Sequence, residues 1–176
     1  MRLIEKPQAD EFNPYASMYI DLLPDDGRVL DHMVTHLKMM EDLVAPLTDE
    51  FRTTPHAEGE WTINEILLHI IDDERIYAYR ALRAARNDST ELAGFEQNPY
   101  AEYSEANART LVSLFDEYTA VRQATITLFA NLPEAAFTRS VVANNHAVTV
   151  RALVYHIAGH ELHHLASIRE DYLLGS

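Results

Sequence analysis

The chain has no cysteine among its 176 residues, so disulfides and thiolate ligands are excluded and any metal must be held by imidazole, carboxylate or water. A reducing cytoplasm fits that composition. Long apolar runs are missing too. None approaches the roughly 20 residues that span a bilayer, and the opening MRLIEKPQADEFNPY lacks the apolar centre of a signal peptide. Basic residues are scarce, 14 against 28 acidic, and the resulting formal net charge of -14 repels phosphate backbones and anionic membranes. Neither nucleic acid nor a membrane is therefore expected as a partner. Apolar residues make up 47% of the chain, enough for one ordinary core, and 1–176 reads as one domain with an irregular arm over 1–25.

What is present is helical periodicity. Four long segments carry a repeat near 3.6, separated by short stretches rich in proline, glycine and asparagine, which predicts an all-α chain. The first runs from about Asp26 to Phe51, with Leu30, Met33, Val34, Leu37, Met40, Glu41 and Val44 on its stripe and Pro46 bending its last turns. Thr62 and Glu65 form a capping-box pattern that opens a second helix reaching about Asn87. The loop DSTELAGFEQNPYAEYS leads to a third, from roughly Glu105 to Asn131, with Leu111, Leu114, Phe115, Tyr118, Val121, Ile126 and Phe129 as its core. Val141, Val142 and Val148 flank Asn144 and Asn145 as a short extended pair would. Thr149 is the expected N-cap of a fourth helix that runs to about Leu173 and ends near Gly175.

Nine histidines are the oddity, and four of them fall between positions 156 and 164. On a helix, residues i and i+4 lie about 6 Å apart on one face, so two imidazoles can converge on one ion. The spacing permits His156 with His160, His160 with His163 or His164, and His32 with His36. At about 100° per residue, Val150, Leu153, Val154, Ile157, Leu165 and Ile168 define an inward face containing His164, with His160 at its margin. His156 and His163 point away from that face, and His32 and His36 read as surface. The pair selected is His160 and His164. A tight zinc site needs three protein ligands. His69, in LLHIIDDE, is the best third candidate, although periodicity leaves it undecided between ligand and internally bonded histidine. Asp73, Ile76 and Arg80 follow it along one row, so Asp73 could orient the His69 ring. Glu74 and Glu161 fall on apolar stripes, where a carboxylate needs a partner, and a structural salt bridge is the first expectation for both. Trp61, Tyr77 and Tyr79 read as packing residues.

HELHH, His160 to His164, also matches HExxH, the zinc signature of one protease class. Those enzymes use the glutamate as general base and find a third ligand beyond the motif. Here only Glu170 and Asp171 follow, the glycine of the longer variant is missing, and Glu161 lies about 100° around the helix from His160. A peptidase is not expected.

From the arm EFNPYASMYIDLLPDD through EWTINEILLHIIDDERIYAYRALRAARND and GFEQNPY to VTVRALVYHIAGHELHHLASIREDYL, the chain resembles the DinB-like superfamily of four-helix metal-binding proteins, also called DinB/YfiT-like. The resemblance implies a four-helix bundle with a long crossover connection and homodimerisation. It implies a divalent metal, with zinc the first choice and nickel or iron the alternatives, bound by one histidine of the second helix and an HxxxH pair of the last. In this sequence those are His69, His160 and His164. Characterised members include transferases and isomerases that use low-molecular-weight thiols, so the resemblance implies activation of such a thiol for transfer to a small electrophile. Two alternatives stand beside it: hydrolysis of a small substrate by metal hydroxide, and noncatalytic binding of a metal or small ligand in a stress-related role.

Overall fold

The computed structural model describes residues 1–174. Its helices, in chain order, are α1 (Ser17–Ile20), α2 (Val29–Val44), α3 (Asp49–Arg52), α4 (Ile63–Ala85), α5 (Gln97–Tyr103), α6 (Leu111–Ala130) and α7 (Val150–Ser167), and the chain continues into a wider π-helical segment, Ile168–Leu174. A hairpin of β1 (Ser140–Ala143) and β2 (His146–Thr149) precedes α7. The expected stop near Gly175 lies outside the described residues.

The four long helices α2, α4, α6 and α7 form the bundle. α7 packs against α4 and α2, and α6 closes the ring against the same two. Thr62 caps α4, its side chain accepting from the Glu65 amide while Glu65 accepts from the Thr62 amide, so the capping box is present as expected. Thr149 caps α7 by accepting from the Ala152 amide. Asn144 and Asn145 both adopt positive φ, at 49° and 64°, which lets a two-residue turn join the twisted strands in the register Val141 to Val148.

Three expectations need correction. The first helix does not continue past Pro46: α2 stops at Val44 and a separate turn, capped by Thr48, follows. Proline removes an amide donor and clashes with the preceding turn, so it ends this helix instead of bending it. The third helix begins at Leu111, capped by Thr110, because Glu105 takes a left-handed conformation at φ 51° that interrupts any helix through it. The stretch read as one loop after α4 contains α5.

Two apolar clusters fill the bundle. One joins the arm, Met33, Ala81, Phe129 and the first half of α7, and the other joins Met40, Ile70, Ile71, Tyr118 and Leu165. Between them each long helix contributes a buried polar residue: His36, Glu74, Arg122 and Glu161. Arg122 donates to Glu74 at 3.1 and 2.8 Å, lies 3.0 Å from Glu161, and reaches the Met33 carbonyl; Tyr118 donates to Glu161. Glu74 and Glu161 are thus held in a salt-bridge network, as expected of carboxylates on apolar stripes. The inward face of α6 is Leu114, Tyr118, Arg122, Thr125 and Phe129, so Arg122 and Thr125 take the place expected for Val121 and Ile126. On α2, Val34 and Glu41 lie outside the buried face and His36 lies within it.

Candidate metal centre

α4 presents His69 and α7 presents His160 and His164 to the same point. The Nε2 atom of His160 lies 3.0 Å from that of His69 and 3.1 Å from that of His164. One ligand nitrogen from each of the three falls within 4.8 Å of the others, and no second such cluster occurs among the described residues. Zinc–imidazole bonds of about 2.0–2.1 Å in a tetrahedron would set these nitrogens about 3.3 Å apart, so the spacing fits one ion with little adjustment. The donor set is entirely imidazole, which suits zinc, nickel and iron alike.

Electrostatics keep these rings neutral. Burial holds His69 down to about 4 and His164 to about 3, and burial with the neighbouring histidines holds His160 well below its usual value. A neutral imidazole has one free lone pair, the form a metal binds. Asp73, buried on α4, places Oδ2 3.4 Å from His160 Nδ1 and 3.7 Å from His156 Nε2. That oxygen makes no aligned hydrogen bond, and His160 Nδ1 is the nearer of the two ring nitrogens to it. Asp73 therefore lies beside His160 and His156, whereas its row on α4 had placed it with His69. Burial pushes its carboxyl well above the usual range.

The walls come from several elements. Trp61 covers His69, ring centroids 4.8 Å apart. Tyr19, carried by α1 in the arm, turns its ring edge-on to His156, His160 and His163 at 5.1–5.4 Å. His156 does not point to solvent: it is buried and stacks on Tyr77 at 3.8 Å with the rings 2° from parallel. His163 is half-buried and does not join the cluster. Tyr77 thus packs as expected, whereas Tyr79 is half exposed. His36 is also buried, its Nδ1 3.7 Å from Glu161 Oε2, while His32 stays near the surface against Asp26 at 2.9 Å. Glu161 is turned to Arg122 and Tyr118 inside the bundle, and Glu170 and Asp171 are exposed, so the arrangement of an HExxH protease is absent. A polar cavity of about 310 Å³, lined by His160, Asp73, Tyr19, Tyr77 and Arg80, lies beside the histidines under residues 94–98.

Comparison with known proteins agrees with this architecture. The DinB superfamily matches over residues 32–168, and the chain belongs to it. It is 26% identical over 143 residues to the "Putative metal-dependent hydrolase OB0413" of Oceanobacillus iheyensis, covering 80% of this chain and 81% of that one. A "Putative metal-dependent hydrolase" of Bacillus pumilus is also 26% identical, over 144 residues with the same coverage. Among solved structures, YfiT from Bacillus subtilis, described as "a probable metal-dependent hydrolase with an unusual four-helix bundle topology", superposes with a TM-score of 0.75 over 83% of this chain and 85% of that one. At 16% identity that likeness speaks for the fold, and the four-helix bundle expected from the sequence stands.

Proposed function

We propose that this member of the DinB superfamily is a metal-dependent hydrolase of a small molecule, with His69, His160 and His164 as the protein ligands of one divalent ion. The observation that carries the reading is the convergence of three neutral Nε2 atoms beside a polar cavity. A divalent ion with three imidazole ligands keeps open positions, acts as a Lewis acid and lowers the pKa of bound water or thiol, supplying a nucleophile at neutral pH.

The chain's own residues do the rest. Asp73 fixes the tautomer and rotation of His160 through Nδ1. Trp61 and Tyr19 hold the rings of His69 and His160 from either side, which restricts them to one geometry and limits water around them. Glu161 takes no part, being committed to Tyr118 and Arg122.

A second reading uses the same ligands: transfer of a low-molecular-weight thiol to a small electrophile. It is favoured by the cavity of about 310 Å³, far larger than a water needs, in a chain with no thiol of its own. The homodimer implied by the family resemblance and the reducing cytoplasm that the lack of cysteine fits belong to either reading, and sedimentation equilibrium tests the dimer.

Untagged protein purified without added metal is expected to carry about one divalent ion per chain, and H69A almost none. Metal-loaded protein should cleave a member of a panel of small esters and amides without added thiol, and lose that activity on chelation. Stoichiometric metal in H69A would refute the ligand set. Activity that requires an added thiol would replace hydrolysis by transfer.

A further inference from the structure

Arg80 lines the same cavity as His160, and no carboxylate among the described residues pairs with its charge. It lies on α4, is only 6% exposed, and is the one lysine or arginine in the lining. Its Nη2 donates to the Ala93 carbonyl at 3.1 Å, using one of the five N–H donors a guanidinium carries. The group rests 4.8 Å from the ring centroid of Tyr77 and 5.9 Å from that of Phe95. Among the described residues no carboxylate comes within ion-pairing distance of it. Asp73, whose charge acts on it through space, is turned instead to His156 and His160.

The guanidinium is also held in place. Leu92 donates to Val142 at 2.9 Å and accepts from Asn144 at 3.0 Å, which ties the segment carrying Ala93 to the hairpin. Gly94 permits this approach, since a β-carbon there would lie 2.6 Å from Asn144 Oδ1. A buried cation without a counter-ion is costly, and a polar cavity that fixes one is stabilised when an anion enters. The chain's net charge of -14 makes this a selective device, because anions gain nothing from the exterior field.

We infer that Arg80 anchors a carboxylate of the small molecule on which the centre acts. A carboxylate matches the planar fork of the guanidinium. Glu96 also lines the cavity, which favours a single negative charge over the two of a phosphate monoester. Tyr77 and Phe95 beside the fork suit a flat unsaturated body. The part this anchor plays in turnover rests on the hydrolase reading above; anion binding itself does not.

Calorimetric titration with benzoate, its neutral isostere benzamide and phenyl phosphate tests the assignment on metal-loaded wild type, R80Q, R80K and metal-free H69A. Benzoate is expected to bind wild type and H69A, benzamide at least about tenfold more weakly, and R80Q is expected to lose about tenfold or more for benzoate. R80K keeps the charge without the fork and should fall between them. Equal binding of benzoate and benzamide by wild type, or no benzoate binding at all, would overturn the inference. So would unchanged benzoate affinity in R80Q, or tighter binding of phenyl phosphate than of benzoate. If R80Q fails to fold by circular dichroism, R80K and the wild-type ratio of benzoate to benzamide decide. Arg80-dependent benzoate binding in a wild-type protein that takes up no metal would sink the hydrolase reading and keep the anchor. Stoichiometric metal with benzoate binding indifferent to Arg80 would do the reverse.

Discussion

The backbone of Tyr19 occupies the space that a side chain on residue 159 would need: a β-carbon on Gly159 would lie 2.2 Å from the Tyr19 carbonyl oxygen. Both partners are backbone, so neither can swing aside. This contact seats α1 on α7 and brings the Tyr19 ring against His156, His160 and His163.

Gly159→Ala is therefore expected to push the arm away. Overpacking of this kind costs about 1–3 kcal/mol, read as a lower denaturation midpoint. Metal affinity should fall too, although residue 159 has no donor to offer. Unchanged stability and affinity would show that the arm does not support the centre.

Asp73→Asn tests the orientation of His160. An amide cannot accept from Nδ1 with the strength of a carboxylate, and loss of such a supporting partner usually costs about 10–100-fold in metal affinity. Competition with a chromophoric chelator reads this directly. Wild-type affinity in a folded D73N protein would remove Asp73 from the account.

Arg122→Met leaves Glu74 and Glu161 buried without their shared cation. The expected loss is about 3–5 kcal/mol of unfolding free energy by denaturant titration. Adding Glu74→Gln and Glu161→Gln should recover much of it, because the penalty comes from stranded charge and not from lost volume. A mild effect of R122M alone would mean that water reaches the network.

Acid should destabilise the metal-free protein. Burial is the main cause holding His36 and His69 down to about 4 and His156 and His164 to about 3, against an ordinary value of 6.5. Below 6.5 the unfolded chain takes up protons that the folded chain refuses, so this stability is fully present above 6.5 and is lost as pH falls towards 4 and 3. Each histidine contributes up to about 1.4 kcal/mol per pH unit within its window. Glu161 acts in the opposite sense. Burial pushes it up to about 7 from 4.5, so its contribution is present below 4.5 and lost as pH rises to 7. With His160 held down by burial as well, five histidines outweigh the carboxyls of Glu161, Asp73 and Asp72 that burial raises, and denaturant midpoints measured with chelator should fall between pH 7 and pH 5. A flat profile would contradict this balance.

The helices were legible where a local interaction writes itself into adjacent residues. Thr62 with Glu65, Thr149 before α7 and the asparagine turn are of this kind. His156, His36 and Arg122 were not, for one shared reason. Stripe arithmetic assumes that a helix has a wet side, yet α7 is buried almost continuously from Val150 to Glu161. On such a helix the angle of His156 says nothing of exposure. Arg122 sits inside because Glu74 and Glu161 on other helices answer it, and no window on one helix contains those partners; His36 sits inside beside the same network, 3.7 Å from Glu161. Tyr19 and Arg80 lie far along the chain from His160, and only folding brings them to one cavity.

The segment that ties Leu92 to the hairpin has a consequence for how this protein can diversify. The three histidines stand on α4 and α7, whose packing leaves little room for change, while the roof over the cavity is built from residues 94–98 and the Asn144 turn. The floor of the cavity, with His160, Asp73 and Arg80, and its roof thereby belong to separate stretches of chain. Insertions and replacements in the roof can reshape the cavity while the histidines below keep their places, so one bundle can give rise to a lineage of differently shaped pockets.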